Sequence, residues 1–441
     1  MNNSLDLIFL KTFFSSLQSK KIQYCILRNV EEVKQGDAHD VDMSIDAEKL
    51  QEAEELLIDT AQSLNWNLHL KTGSSKNKYD IKCYHFYYIN EQNREIHIVH
   101  LDIFPTFQWK GYELLSNKTL LTATRSDGLF LTTSAEAEAI CNLFTRLLFN
   151  GYIKDKYKDS IQKVFIGSPD TVHELLRHFL SQQQAKLILQ HASNGQWERI
   201  IEQRRILITD IKRTAKRHIF SHLCYLMSKA INRKGLIIAF QGTDGSGKST
   251  IINGLPSIIG NSFTGSTIDY YHWRPGFIHP EKKYTRDGKL LTNVQPHNKP
   301  PMGKLASLAK LAFYSLDYLL GYVGRVYWQA AKGHLVIFDR YYYDFYMDKL
   351  RYRLSISDGW VRFFQFFIPK PDITFLLIGD AKQIYERKRE LTVADIQEQI
   401  DTLLKYRSYY PNAIIANVNT PIPHVLYQVS QGILDSLKNR N

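Results

Sequence analysis

Gly242-Thr243-Asp244-Gly245-Ser246-Gly247-Lys248-Ser249 spells G-x-x-x-x-G-K-[ST], and its flanks decide how the rest of the chain is read. The apolar run Leu236-Ile237-Ile238-Ala239-Phe240 before it predicts a buried strand. Thr250-Ile251-Ile252-Asn253-Gly254-Leu255 after it can open a helix. In such a strand–loop–helix unit the glycines let backbone N–H groups converge on phosphate oxygens, and the helix N-terminus adds a favourable dipole. Residues Gly242, Thr243, Asp244, Gly245, Ser246, Gly247, Lys248, Ser249 and Thr250 are therefore the candidate nucleotide site. Lys248 is expected on the β/γ-phosphates of ATP and Ser249 on Mg²⁺.

Working outward, strands are expected at Leu335-Val336-Ile337-Phe338 and at 373–378, alternating with helical patterns. That alternation predicts an α/β fold for 233–441, with helices flanking a parallel sheet and ligands at the strands' carboxyl ends. Three further features line up with the loop. Asp339-Arg340-Tyr341 follows a strand, where the carboxylate can hold Mg²⁺ or its waters and the guanidinium can clamp phosphate. Arg274, in Trp273-Arg274-Pro275-Gly276, falls near the expected end of the second strand. Glu386-Arg387-Lys388-Arg389-Glu390 is a dense basic cluster on a predicted helix, suited to a lid that carries cations to a transferring phosphoryl group. The polar stretch 281–301 reads as a long loop and a second lid candidate.

Taken together and in order, these features resemble a thymidylate kinase over about 234–441, the nucleoside-monophosphate-kinase type of P-loop fold. The resemblance implies a kinase with ATP and Mg²⁺ as cofactors. It implies Lys248, Arg340, Arg387 and Arg389 as catalytic cations and Asp339 as a metal ligand. Asp244 would meet an acceptor hydroxyl, and Arg274 and Arg340 would hold an acceptor phosphate. A homodimer is implied as well. In that family an Asp-Arg pair reads the thymine base, whereas here Asp317 is followed by Tyr318. A phenol does not reproduce a guanidinium fork, so Tyr318 is the acceptor-side residue that sets this chain apart. The stretch from Asp339 to Arg353 resembles thymidylate kinase-like proteins of bacterial polysaccharide loci. The acceptor expected is therefore anionic: a nucleoside monophosphate such as dTMP, or a sugar or glycan of surface-polysaccharide biosynthesis.

Residues 1–155 mix strand and helix patterns, an α+β domain. Asp40-Val41-Asp42 sits on a predicted strand, so both carboxylates project to one side. Asp102 lies on a later strand, in Leu101-Asp102-Ile103-Phe104. Three such carboxylates can hold metal for nucleotidyl transfer, and the pattern resembles the nucleotidyltransferase superfamily. Where that family has a Gly-Ser turn, this chain reads Leu27-Arg28-Asn29. His97 and His100 alternate with Asp102 on the same predicted strand.

Residues 156–232 read as a helical, basic connector. The stretch 197–216 carries Arg199, Arg204, Arg205, Lys212, Arg213 and Lys216. A basic helix of this kind can lie on a membrane surface, bind nucleic acid or simply face solvent.

The 441 residues suffice for two or three domains, and a formal net charge of +12 favours acidic partners. Four cysteines far apart, with no C-x-x-C pair, point to a reducing compartment and argue against a zinc knuckle or disulfide framework. No uncharged apolar run approaches a membrane span. A cytoplasmic protein is expected, with peripheral membrane contact through the basic helix as an option. Two other functions compete: a nucleotide-regulated binding module and a nucleic-acid-binding NTPase. Paired acceptor-side arginines argue against the first, and a single kinase-like core argues against nucleic acid as partner.

Overall fold

The computed structural model describes residues 5–35, 40–72, 80–126, 128, 130–219, 222–223, 227, 233–260, 263, 268–278 and 300–440. The chain divides into two units, Met1–Tyr88 with His97–Ser228, and Ile89–Ile96 with Lys229–Arg440.

The first unit is α+β. Its strands are β1 (Tyr24–Ile26), β2 (Val41–Ile45), β3 (Asn67–Lys71), β4 (Lys82–Asn90), β5 (Glu95–Ile103), β6 (Phe107–Trp109), β7 (Tyr112–Leu115), β8 (Arg125–Ser126) and β9 (Leu131–Thr132). Seven of them form one mixed sheet in the order β3-β4-β5-β2-β1-β9-β8, and β6 pairs with β7. β2 and β5 run parallel with Asp42 opposite Asp102. The core on one side is aromatic, built from Phe9, Phe13 and Phe14 of helix Leu5–Ser19 against Tyr24, Phe86 and Phe130.

The helical segment expected as a connector over 156–232 belongs, through Thr214, to this first unit. Ile161, Phe165, Leu176, Ile188 and Leu207 are fully buried in the same cluster as Ile140, Phe144 and Leu147 of helix Ala135–Asn150. The apolar face of each amphipathic helix is what ties it in. Arg204 takes part in this packing: Nε and Nη2 donate to the carbonyls of Leu147 and Leu148 at that helix's C-terminus, both at 2.8 Å, the Leu147 carbonyl also accepting from the Gly151 amide. Arg199, Arg205, Lys212, Arg213 and Lys216 are exposed.

The second unit holds β10 (Leu236–Gln241), β11 (Ile268–Tyr271), β12 (Leu335–Phe338), β13 (Ile373–Ile378) and β14 (Ala413–Asn417). They form a fully parallel sheet in the order β11-β12-β10-β13-β14. Near-continuous apolar strands such as Leu-Ile-Ile-Ala-Phe are what a sheet covered on both faces demands. Central β10 leads straight into the Gly242–Ser249 loop and helix Lys248–Ile259. The stretch 281–301 lies, apart from Pro300 and Pro301, outside the described residues. Among the described residues no helix is long and apolar enough to cross a membrane.

At the opposite, amino end of the sheet, Asp372 joins three elements. Its Oδ2 accepts from the Ile237 amide at 2.7 Å, and its Oδ1 pairs with Arg233 and Arg440. Asp372→Ala should destabilise the second unit by about 3 kcal/mol, because it strips two partly buried guanidiniums and one strand amide of their acceptor. Urea unfolding followed by tryptophan fluorescence reads this; an unchanged midpoint would contradict it.

Candidate functional site

The loop after β10 is shaped by its glycines. Gly245 and Gly247 hold φ of +87° and +86°, conformations costly for any residue with a Cβ. A Cβ on Gly242 would stand 2.7 Å from Ser246 Oγ and 3.0 Å from the Leu377 carbonyl, so only glycine lets the loop close over β13. Lys248 is 7% exposed and points back into the loop. Its ammonium donates to the carbonyls of Gly242 at 2.8 Å and Thr243 at 2.9 Å. Burial pushes it down to about 8, and the Arg340 guanidinium adds to the fall. Ser249 and Thr250 are exposed at the start of the helix.

Asp339 ends β12. Tyr270 donates to its Oδ2 at 3.0 Å, while Oδ1 is buried without a hydrogen-bond partner among the described residues. An orphaned buried carboxylate oxygen costs stability unless something cationic or protic meets it. Asp339 and the open hydroxyl of Ser249 thus fit a Mg²⁺ or its waters.

Arg340 is 3% exposed and lies between two carboxylates. Nη1 donates to Asp344 Oδ2 at 3.0 Å and Nη2 to Asp244 of the loop. The other oxygen of Asp244 accepts from Arg351 Nη1 at 2.8 Å. Burial by itself would raise the Asp244 carboxyl, but Arg340 foremost, with Lys248 and Arg351, holds it well below the usual carboxylate range. Asp344 also accepts from Tyr352 Oη at 2.6 Å. Gln241, in the amide orientation its neighbours require, donates to Asp344 Oδ1 at 3.0 Å. Arg351, Asp344 and Gln241 were not among the sequence candidates. A second arginine eleven residues after Arg340 carries no spacing rule, and only the fold brings it to Asp244.

The remaining candidates are placed less directly. Arg274 Nη1 donates to Asp317 Oδ2 at 2.8 Å, and the same carboxylate accepts from the Gly276 and Ile278 amides at 3.0 and 2.7 Å. Asp317 thereby fixes the turn that carries Arg274. Tyr318 corrects the reading of an acceptor-side residue: it is 1% exposed, its hydroxyl donates to the Trp273 carbonyl at 2.8 Å, and its ring packs on Tyr341 and Tyr342. Tyr341, Tyr342 and Tyr343 are all core residues. Of the lid cations, Arg387 donates to the Val418 carbonyl at 2.9 Å and Arg389 lies over the Tyr385 ring, so neither is brought to Lys248 in this arrangement. A Cβ added to Gly245 would stand 3.1 Å from the Cβ of Lys388, so the end of helix Ala381–Arg387 runs close over the loop.

In the first unit, Asp40, Asp42 and Asp102 come together, with one oxygen of each within 4.8 Å of the others. Arg28, from the stretch that replaces the Gly-Ser turn, pairs with Asp42. Burial pushes Asp42 up to about 7; Arg28 pulls against this while Asp40 and Asp102 add to it. Asn29 takes the left-handed conformation, φ +63°, that opens the short helix Val30–Lys34, and its side chain accepts from the Tyr157 hydroxyl.

No family model matches the chain and no curated protein matches it. Among solved structures the chain is similar to thymidylate kinase from Ehrlichia chaffeensis, with 18% identity over 45% of this chain and 97% of that chain. The TM-score of that match is 0.30.

Lys248 supplies a pH prediction. Its pKa in the free protein lies below that of an ordinary lysine, and a bound polyphosphate would raise it. Below about pH 8 the ammonium is already charged and nucleotide binding takes up no proton. Above about pH 8 binding takes one up and affinity falls as pH rises, by up to about tenfold per unit. Calorimetry of ATP binding at about pH 9, in buffers of different ionisation enthalpy, reads the uptake; none would mean Lys248 stays charged in the free loop.

Proposed function

We propose that the second unit is an ATP-dependent phosphotransferase of the thymidylate kinase-like type, moving the γ-phosphoryl group of ATP to an anionic acceptor. One observation carries this: two cationic stations meet at the carboxyl end of one parallel sheet. The first is Lys248 inside the phosphate loop. The second is the Arg340–Arg351 pair held on Asp244, a residue of the same loop. A nucleotide switch needs only the first station. In the transfer, an acceptor oxygen forms the new P–O bond as the bond to ADP breaks. Lys248 neutralises charge on the β- and γ-phosphates, and Arg340 with Arg351 orients the acceptor and Asp244. Mg²⁺, held by Ser249 and Asp339, supplies further charge neutralisation when bound.

Tyr318 bears on which anionic acceptor we favour. With its phenol buried and committed to Trp273, this position offers no fork to a pyrimidine base. That supports a sugar or glycan phosphate over dTMP. A second reading concerns the first unit: the register that sets Asp42 opposite Asp102, with Asp40 at hand, supports a divalent-cation site suited to nucleotidyl transfer.

The test is ATP turnover by the full chain against dTMP, other nucleoside monophosphates, sugar phosphates and acidic glycans. Lys248→Ala should lower turnover by at least about 100-fold. Arg351→Ala should raise the acceptor KM more than it lowers kcat. Turnover on dTMP alone would refute the glycan assignment, and phosphorylation that survives Lys248→Ala would refute the kinase.

A further inference from the structure

Asp102 belongs to two side-chain clusters in the first unit. On one side are the carboxylates of Asp40 and Asp42. On the other are the thiol of Cys83, on β4, and the imidazole of His100, two residues before Asp102 on β5. β4 and β5 are neighbours in the sheet, and His100 and Asp102 project to the same face. One ligand atom from each of Cys83, His100 and Asp102 lies within 4.8 Å of the other two, and His100 Nε2 is 2.8 Å from Asp102 Oδ1. The His85 ring stacks on His100, with centroids 3.8 Å apart and planes 20° from parallel, which fixes the imidazole plane.

We propose that Cys83, His100 and Asp102 form a transition-metal site of the Zn²⁺ class, distinct from the all-carboxylate set that shares Asp102. Donor chemistry makes the distinction. Oxygen-only sets suit Mg²⁺ or Mn²⁺, whereas a thiolate with an imidazole selects softer ions. Tetrahedral ligand distances of about 2.0–2.3 Å set the donors about 3.3–3.7 Å apart, so the Cys83 thiol must draw in by less than about 1.5 Å while His100 Nε2 and Asp102 Oδ1, now hydrogen-bonded at 2.8 Å, part slightly to admit the ion. Three protein ligands leave a fourth position for water. Binding displaces the thiol proton, and any proton on the imidazole nitrogen that ligates, to solvent, while the other ring nitrogen keeps its proton. Cysteines that lie far apart in sequence hid this site, because its ligands come from neighbouring strands rather than from a C-x-x-C pair.

Co²⁺ is the probe, since cobalt bound to thiolate gives a charge-transfer band in the near ultraviolet that oxygen ligands do not. Titration of the full-length protein should produce that band, Zn²⁺ should erase it, and excess Mg²⁺ should not. Cys83→Ser should abolish it, and His100→Gln should weaken binding by at least about tenfold. Asp40→Asn, which touches only the carboxylate set, should leave it in place. A circular-dichroism spectrum and melt check that each variant is folded, and if Cys83→Ser fails there, His100→Gln carries the test. No band in the wild type, or one that persists unchanged in folded Cys83→Ser and His100→Gln, would overturn the assignment.

Discussion

The guanidinium of Arg340 is the constraint around which the second unit's site is arranged. Taking a charge out of water costs several kcal/mol even after relaxation, and it is tolerated only where the partners are good. Here Asp344 takes one edge and Asp244 the other. Asp344 is in turn held by Tyr352, Tyr352 stacks on Trp273, and Trp273 precedes the Arg274 turn anchored by Asp317. Asp244 reaches the phosphate loop itself. One buried cation thus couples the loop, the end of β12 and the region that would receive the acceptor. Removing either carboxylate would leave one edge of the buried guanidinium without its partner.

Charge sets what this site can accept. Lys248, Arg340 and Arg351 face Asp244, Asp339 and Asp344, so the cluster is balanced as it stands. A nucleoside triphosphate together with an anionic acceptor brings several more negative charges into a region of low dielectric. On the proposed chemistry that surplus calls for a divalent cation and for the basic segment 387–389. In the present arrangement Arg387 and Arg389 are engaged with Val418 and Tyr385. Both are exposed, at and just beyond the end of helix Ala381–Arg387.

The first unit presents a different electrostatic problem. Asp42, buried beside Asp40 and Asp102, is carried by a single guanidinium, Arg28. Arg28 answers Asp42 and the His100 imidazole answers Asp102, so the three carboxylates are only partly balanced by the cations paired with them. Asp102 also bonds His100, so any ion taken up on one side alters the donor strength of the carboxylate available to the other.

Much of this was legible along the chain, because its physics is local. The strand–loop–helix around Lys248 follows from apolar runs and glycine backbone freedom. The D-x-D spacing brings Asp40 and Asp42 to notice, although the strand itself begins at Val41 and Asp40 just precedes it. Residue type and alternation mark strands at 24–27, 41–45, 83–89 and 96–104, and strands form at Tyr24–Ile26, Val41–Ile45, Lys82–Asn90 and Glu95–Ile103. What the tertiary structure decided concerns partners distant in sequence. Arg351 meets Asp244 across 107 positions, and Arg274 meets Asp317 across 43. Tyr318 goes to the core because its helix turns that face toward Tyr341 and Tyr342. Residues 156–214 join the first unit because their apolar faces find Phe144 and Leu147. Sequence fixes the period of a side chain on its own element, whereas the identity of what faces it depends on how elements pack, and that is a property of the whole fold.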